Sequence, residues 1–433
     1  MACGGYSQRL AEVRDGAAAN NLEVALAAAD QLVIAGQEGR SPQERDLPLL
    51  LLERGTLYQA MGLHELAVTD FTEADQMLEV LDLSSGRAGN AAEYLWSGSK
   101  KLYRPPIYEK LLVNVMAASS FMAAGSYRSA MVEARRIRVL WEYFSDTDLA
   151  GHPMLSVASY IAALAMELGG EEDTALRFYA DAWSDKPLPG LAEAIARMSS
   201  QSGASIDSTT LDAALAEASA SETESELITI TFSGMAPYRV AQRIPIGAVF
   251  IMMRQNRQYA LGESNAAVYN RIVAEGLLTW INFPTLVAAN NGLGTIQNEV
   301  DGRRTDASLI ANVELFAMAQ WEAERSGIAF AAITRAIVRV LAREGIQAAT
   351  RAGNNQAVET LGFIASLATQ AAMQAADQPD TRTWNLMPAR VWVSRTEVEP
   401  GSHAVSVRAG GVSHATTVEV RENGVGVAVF RIF

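Results

Sequence analysis

Apolar and polar positions follow two different periods along this chain, and the change falls near residue 225. Upstream, apolar residues recur at helical spacing in successive pairs of segments. In Ser7 to Gly36 these are Leu10, Val13, Leu22, Ala25, Leu32 and Val33, with Asn20-Asn21 supplying the turn. The clearest unit is Leu50 to Val80, where Gly55, Tyr58, Gly62, Ala67, Phe71 and Ala74 mark a helix-turn-helix repeat. Gly55 permits close helix approach, Tyr58 and Phe71 fill the gap, Gly62 opens the turn, and Ala67 and Ala74 are small at a crossing. Ile107 to Tyr143 repeats the pattern with Phe121, Gly125, Tyr127 and Ala130, and Met154 to Pro187 with Gly170, Ala175, Tyr179 and Ala182.

These spacings are those of the tetratricopeptide repeat, here short and irregular, with Ala25 standing where Ala67 stands in the clear unit. Three such units are about the minimum that can bury one another's faces. Leu81 to Pro106 breaks the period. Its aromatic and basic residues, Trp96 and Lys100 through Tyr103 and Arg104, suit either a binding loop laid on the repeats or an insert over a helix end. Ser, Ala, Thr and acidic residues dominate 199–225, which reads as a linker with a short helix around Leu211 to Ala218.

Downstream the period becomes 2. Leu227 to Phe232 and Arg239 to Ile246 read as strands, the second an edge strand because of Pro245. Leu278 to Val287 is a third extended run. Asn290 to Gly294 is turn-rich but lacks the lysine of a phosphate-binding loop. Asp306 is expected to cap a helix running to about Ser326, followed by helices Ile328 to Ala352 and Gln356 to Ala376. Arg335, Arg339 and Arg343 line one face of the second, either a basic stripe or a solvated face. Four alternating runs close the chain, with Asn423-Gly424 predicting a hairpin between the last two. The expected fold is therefore multidomain: a tetratricopeptide-like all-α array over 1–198, a linker over 199–225, and an α+β domain over 226–433. That last domain has a mainly antiparallel sheet in which its first and last strands pair.

With 433 residues, 49% of them hydrophobic and 19% charged, the chain has ample material for two or three cores. A net charge of −14 argues against a phosphate-backbone partner such as nucleic acid. The single cysteine, Cys3, leaves no intrachain disulfide. Met1-Ala2-Cys3-Gly4-Gly5 reads as a bacterial lipoprotein junction, with Cys3 as the lipidated residue and Gly4 pointing to the outer membrane. The alternative is an incidental cysteine in a cytoplasmic chain. No apolar run approaches the roughly 20 residues that span a bilayer, so any membrane attachment would be by lipid alone.

Candidate chemistry is sparse. His64, His152, His403 and His414 show no zinc-ligand spacing, although His403 and His414 could face each other across strands. Gly-x-Ser-x-Gly is absent, and Glu171-Glu172 and the Glu222, Glu224 pair fall at a helix start and in the linker. The reading calls for no catalytic residue, no cofactor and no metal.

Tyr108-Glu109-Lys110-Leu111-Leu112-Val113-Asn114 ahead of Val132-Glu133-Ala134-Arg135-Arg136, Gly234-Met235-Ala236-Pro237, and Asp380-Thr381-Arg382-Thr383-Trp384 before Leu386, Pro388, Ala389 and Arg390 carry a resemblance. Together with Glu399-Pro400-Gly401-Ser402-His403, they make the chain resemble a family of uncharacterised bacterial lipoproteins with tetratricopeptide-like helices, from about Arg54 to Phe433. The resemblance implies an envelope lipoprotein, often encoded beside small outer-membrane lipoproteins, an association that suggests an assembly role. The expectation is a non-catalytic scaffold binding protein partners through its helices, with Tyr58, Tyr103, Arg104, Tyr108, Arg135 and Arg136 as contact candidates. One alternative is an envelope enzyme or small-ligand binder with a cleft between helices and sheet, near Arg239, Arg382 and Trp384. Another is a cytoplasmic adaptor.

Overall fold

A computed structural model describes residues 5–82, 103, 105–145, 152–183, 188–219, 225–254, 280–289, 295–344 and 379–433. A helical array comes first, followed by an α+β region whose strands are mainly antiparallel. The array runs α1 (Tyr6–Arg9), α2 (Ala11–Ala18), α3 (Leu22–Gln37), α4 (Gln43–Ala60), α5 (His64–Asp82), α6 (Ile107–Ala123), α7 (Tyr127–Ser145), α8 (Pro153–Leu168), α9 (Glu172–Ala182), α10 (Leu191–Gln201) and α11 (Ser208–Glu217). The pairs α4–α5, α6–α7 and α8–α9 close through the same turn. In the first, Gly62 takes a left-handed φ of +73°, and the Leu63 N–H reaches back to the Tyr58 carbonyl at 2.8 Å. Gly125 and Gly170 repeat it. Alanine and leucine favour helix throughout, but the apolar faces buried between neighbours decide where the helices pack.

Gly55 marks the close crossing of α4 and α5. A Cβ there would stand 2.9 Å from Phe71 Cε1 and 3.2 Å from Asp70 Cβ. Gly55→Val is therefore expected to force α4 and α5 apart and cost about 1–3 kcal/mol in chemical denaturation.

The short helix expected near Leu211 is α11, packed beside α10. Past it come β1 (Glu226–Ser233), β2 (Tyr238–Pro245), α12 (Ile246–Arg254), β3 (Trp280–Val287), β4 (Gln297–Val300), β5 (Arg303–Thr305), β6 (Ser308–Asn312), α13 (Val313–Glu344), β7 (Arg390–Glu397), β8 (Gly401–Ala409), β9 (Val412–Val420) and β10 (Val425–Ile432). One sheet has the order β10-β1-β7-β6, and the parallel β1–β10 ladder joins the two ends of the α+β region. A second has the order β5-β4-β8-β9, and β2–β3 form a separate ribbon. Both faces of β1 are buried. Ile228, Ile230 and Phe232 face the helical array, and Leu227 faces the second sheet with Phe430 and Ile432. The main core cluster thus runs without a break from Tyr6 to Phe433.

Three sequence expectations are corrected here. Asp306 caps no helix: Ser308–Asn312 is strand β6 on β7, and the helix begins at Val313, where Asn312 Oδ1 accepts the Leu315 N–H at 3.3 Å. A strand partner outweighs local helix preference. The expected break near Ser326 is absent, since α13 continues through it. Ser326 and Gly327 are buried, and the serine hydroxyl donates to the Met252 carbonyl of α12 at 3.0 Å. Small residues here serve a close crossing, not a stop. Finally, Asn423-Gly424 does turn the chain, with Asn423 at φ +54°, but β9 and β10 enter different sheets. The helix expected over Gln356 to Ala376, the Asn290 to Gly294 loop and most of Leu81 to Pro106 lie outside the described residues.

Candidate functional site

The inner face of the array is occupied by the protein's own chain. Glu53 follows the run Leu49–Leu52 on α4 and is fully buried. Its carboxylate accepts the Asn385 and Leu386 N–H groups, both at 2.7 Å, and the Tyr6 hydroxyl at 3.1 Å. Burial pushes its pKa up to about 7, and these hydrogen bonds limit the rise. Trp384, also fully buried, donates its indole N–H to Thr56 Oγ1 at 3.1 Å and meets Phe71 edge-on at 6.2 Å. Arg382 pairs with Asp380 at 2.6 Å and lies 4.0 Å from Asp46, which Arg9 also contacts. Thr381 to Ala389 is nine consecutive buried residues between the array and β7.

Two further polar clusters seal the junction. Tyr103 donates to Glu109, whose pKa is raised to about 7 by burial, and Arg239 nearby binds Glu324 at 2.7 Å. On the other flank Glu226 takes Arg395 at 2.6 Å and Arg197 at 2.9 Å, and Arg197 continues to Glu167 at 2.6 Å. Although burial opposes ionisation, these two guanidinium groups hold Glu226 down at about 2. The linked opposite charges make this a bolt between array and sheet.

An open cleft of about 340 Å³ lies elsewhere, between the α4–α5 and α6–α7 turns and strands β9 and β10. Its walls include Gln59, His64, Tyr127, His414, Glu419 and Arg431. A cleft between helices and sheet therefore exists, but Arg239, Arg382 and Trp384, expected beside it, are not among its lining residues.

The contact candidates do not converge. Tyr103 and Tyr108 are buried against the array, so they present no surface. Tyr58 is half-buried with the Arg54 guanidinium 5.6 Å from its ring. Arg136 binds Glu133 at 2.8 Å and Asp75 at 3.5 Å. Arg135 is exposed. Cys3 and Arg104 lie outside the described residues, as do the side chains of Arg335, Arg339 and Arg343. His403 and His414 do not face each other, since His403 pairs with Val418 and His414 with Val407. His403 instead meets Asp301 at 2.7 Å, which raises its pKa. Among the described residues no three His, Cys, Asp or Glu side chains gather as metal ligands, and no helix is long and apolar enough to cross a membrane.

Sequence reasoning missed Glu53, Gln59 and Arg431. A carboxylate ending a run of four leucines was the available signal for the first, because such a position is buried unless the helix ends there. No protein-family model matches the chain, and no curated protein matches its sequence.

Proposed function

We propose that the protein is a non-catalytic envelope lipoprotein that serves as a scaffold for other proteins, attached through Cys3 and presenting its helical array. The lipoprotein part is supported by the Met1-Ala2-Cys3-Gly4 junction and by the family resemblance. The scaffold part is supported by one observation on α7. Val132, Arg135, Val139 and Tyr143 lie within one narrow arc of that helix and all are exposed, Val139 at 65% and Tyr143 at 54%. Tyrosine and arginine are the residue types that dominate interface hot spots, and the two exposed valines add apolar area between them. With the inner face filled by Thr381 to Ala389, this outer face is what the array offers to a partner protein.

The test is affinity capture from detergent-solubilised membranes using the full chain, with Val139→Asp and Arg135→Glu as comparators. A specific partner is expected to co-purify with the wild type and to fall at least tenfold with either variant. Equal recovery by the variants, or no specific partner at all, would sink the scaffold reading. Labelling with a palmitate analogue that survives Cys3→Ser would sink the lipid anchor.

A further inference from the structure

Gly5 to Ser7 are held firmly at the junction between the array and the α+β region. Tyr6 and Ser7 are both buried, the Tyr6 hydroxyl donates to Glu53 at 3.1 Å, and the Ser7 N–H reaches Thr381 Oγ1 at 3.3 Å. A Cβ on Gly5 would stand only 3.1 Å from that same hydroxyl oxygen, so the backbone passes directly over Thr381. Cys3, the residue that the proposed function gives a lipid, lies two positions upstream. An extended chain covers at most about 3.6 Å per residue, which leaves Gly5 within about 7 Å of the Cys3 Cα. Acyl chains in the hydrocarbon fix a lipidated cysteine at the headgroup level, a layer only about 5–7 Å deep. A helix with its side chains is about 10 Å across, more than the whole tether. With Cys3 lipidated, α1 cannot stand clear of the bilayer.

What lies beside α1 suits such a surface. α1 packs on β2, and Arg14 of α2 sits 4.3 Å from the ring centre of Tyr238, where that strand starts. The β2–β3 ribbon then runs outward for eight residues, about 26 Å. Its register pairs Arg243 with Asn282 and Pro245 with Trp280, so Ala241, Arg243, Pro245 and Trp280 share one face. All four are exposed, Trp280 at 47%. The opposite face, with Ile244, Ile281 and Phe283, is packed on α12 and α13. At the same end of the ribbon α12 follows Pro245 directly, and its Ile251 is 65% exposed. Arg243 makes no hydrogen bond or ion pair with another described residue. Tryptophan and arginine with apolar neighbours are what a membrane interface takes, the ring lying among the headgroups and the guanidinium meeting phosphates.

We infer, on the premise of a lipid at Cys3, that its two-residue tether holds the body directly on a bilayer. α1 and the outer face of the β2–β3 ribbon lie against the headgroups, with Trp280 among them. A net charge of −14 makes that surface a zwitterionic one, because an anionic leaflet would repel the body.

The single cysteine makes the geometry testable with the full chain, since its thiol can be coupled to a maleimide lipid in phosphatidylcholine vesicles. Tryptophan quenching by lipid brominated near the headgroups is then compared for the wild type, Trp280→Phe, and a long-tether chain. The last carries twenty Gly and Ser residues between Gly4 and Gly5, which stretches the tether to about 25 Å on average. Quenching is expected to be at least threefold stronger in the wild type than in either variant. Equal quenching in Trp280→Phe would mean that the ribbon faces solvent or a protein, and equal quenching on the long tether that reach does not hold the body down. Either result overturns the docking. The palmitate analogue reports on the anchor separately. Label at Cys3 without quenching sinks the docking alone, and quenching in vesicles without label in cells sinks the anchor and the docking together.

Discussion

Trp384→Ala is expected to cost about 3–5 kcal/mol of stability, the range for deleting a fully buried tryptophan. Its side chain is 0% exposed. Removal opens a void against Phe71, takes the indole donor from Thr56 Oγ1 and loosens the neighbouring backbone N–H groups that Glu53 accepts. Each of those losses falls on the contact between array and sheet, so the two halves should stop unfolding together. Differential scanning calorimetry should show one transition in the wild type and a lowered, broadened or split one in the variant. Trp384→Phe keeps most of the apolar volume while deleting the N–H, and should cost only about 1–2 kcal/mol. A loss below 1 kcal/mol for the alanine variant would mean that Thr381 to Ala389 covers the array without anchoring it.

The same segment shows where sequence reading ends. The helix pairs were legible because their signals are local: a glycine at each turn, Gly62, Gly125 and Gly170, and alanines at the crossings. Strands β1, β2 and β7 to β10 were legible from alternation or continuous apolar runs. Strand β6 was not, since Ser308–Asn312 is short and its apolar residues also fit the helical period that follows. The Asn423-Gly424 turn was read correctly, yet its strands part because both faces of β10 are buried, one on the array and one on the second sheet. Turn chemistry is local, while sheet membership is decided by what covers each face. Asp380 to Trp384 stood out as a motif, but nothing in its residues names the groove it fills. That information lies more than 300 positions away, in Glu53 and Thr56.

Buried carboxyl groups at this junction give the second large effect, read best as a difference between two proteins. Burial raises Glu109 from 4.5 to about 7, with the Tyr103 hydroxyl donating to it and limiting the rise. A carboxyl raised in the folded state is protonated at no cost below the unfolded value of about 4.5. Its contribution is then lost as pH climbs through about 7, by on the order of 3 kcal/mol. His64 runs the other way, because its folded pKa is lowered from 6.5 to about 4, so folding gains stability as pH rises across that window. His64 opposes Glu109 in the wild type while Glu53, also raised to about 7, adds to it, so the wild-type curve isolates neither. Glu109→Gln removes one of the three while keeping an oxygen for the Tyr103 hydroxyl. Near pH 4.5 variant and wild type should agree within about 1 kcal/mol, since both carry a neutral side chain there. By pH 8 the variant should be the more stable by about 3 kcal/mol, measured by urea denaturation at both values. A difference that stays flat with pH would mean that Glu109 ionises in the folded protein as freely as in the unfolded chain, so that the Tyr103–Glu109–Arg239 cluster is wet.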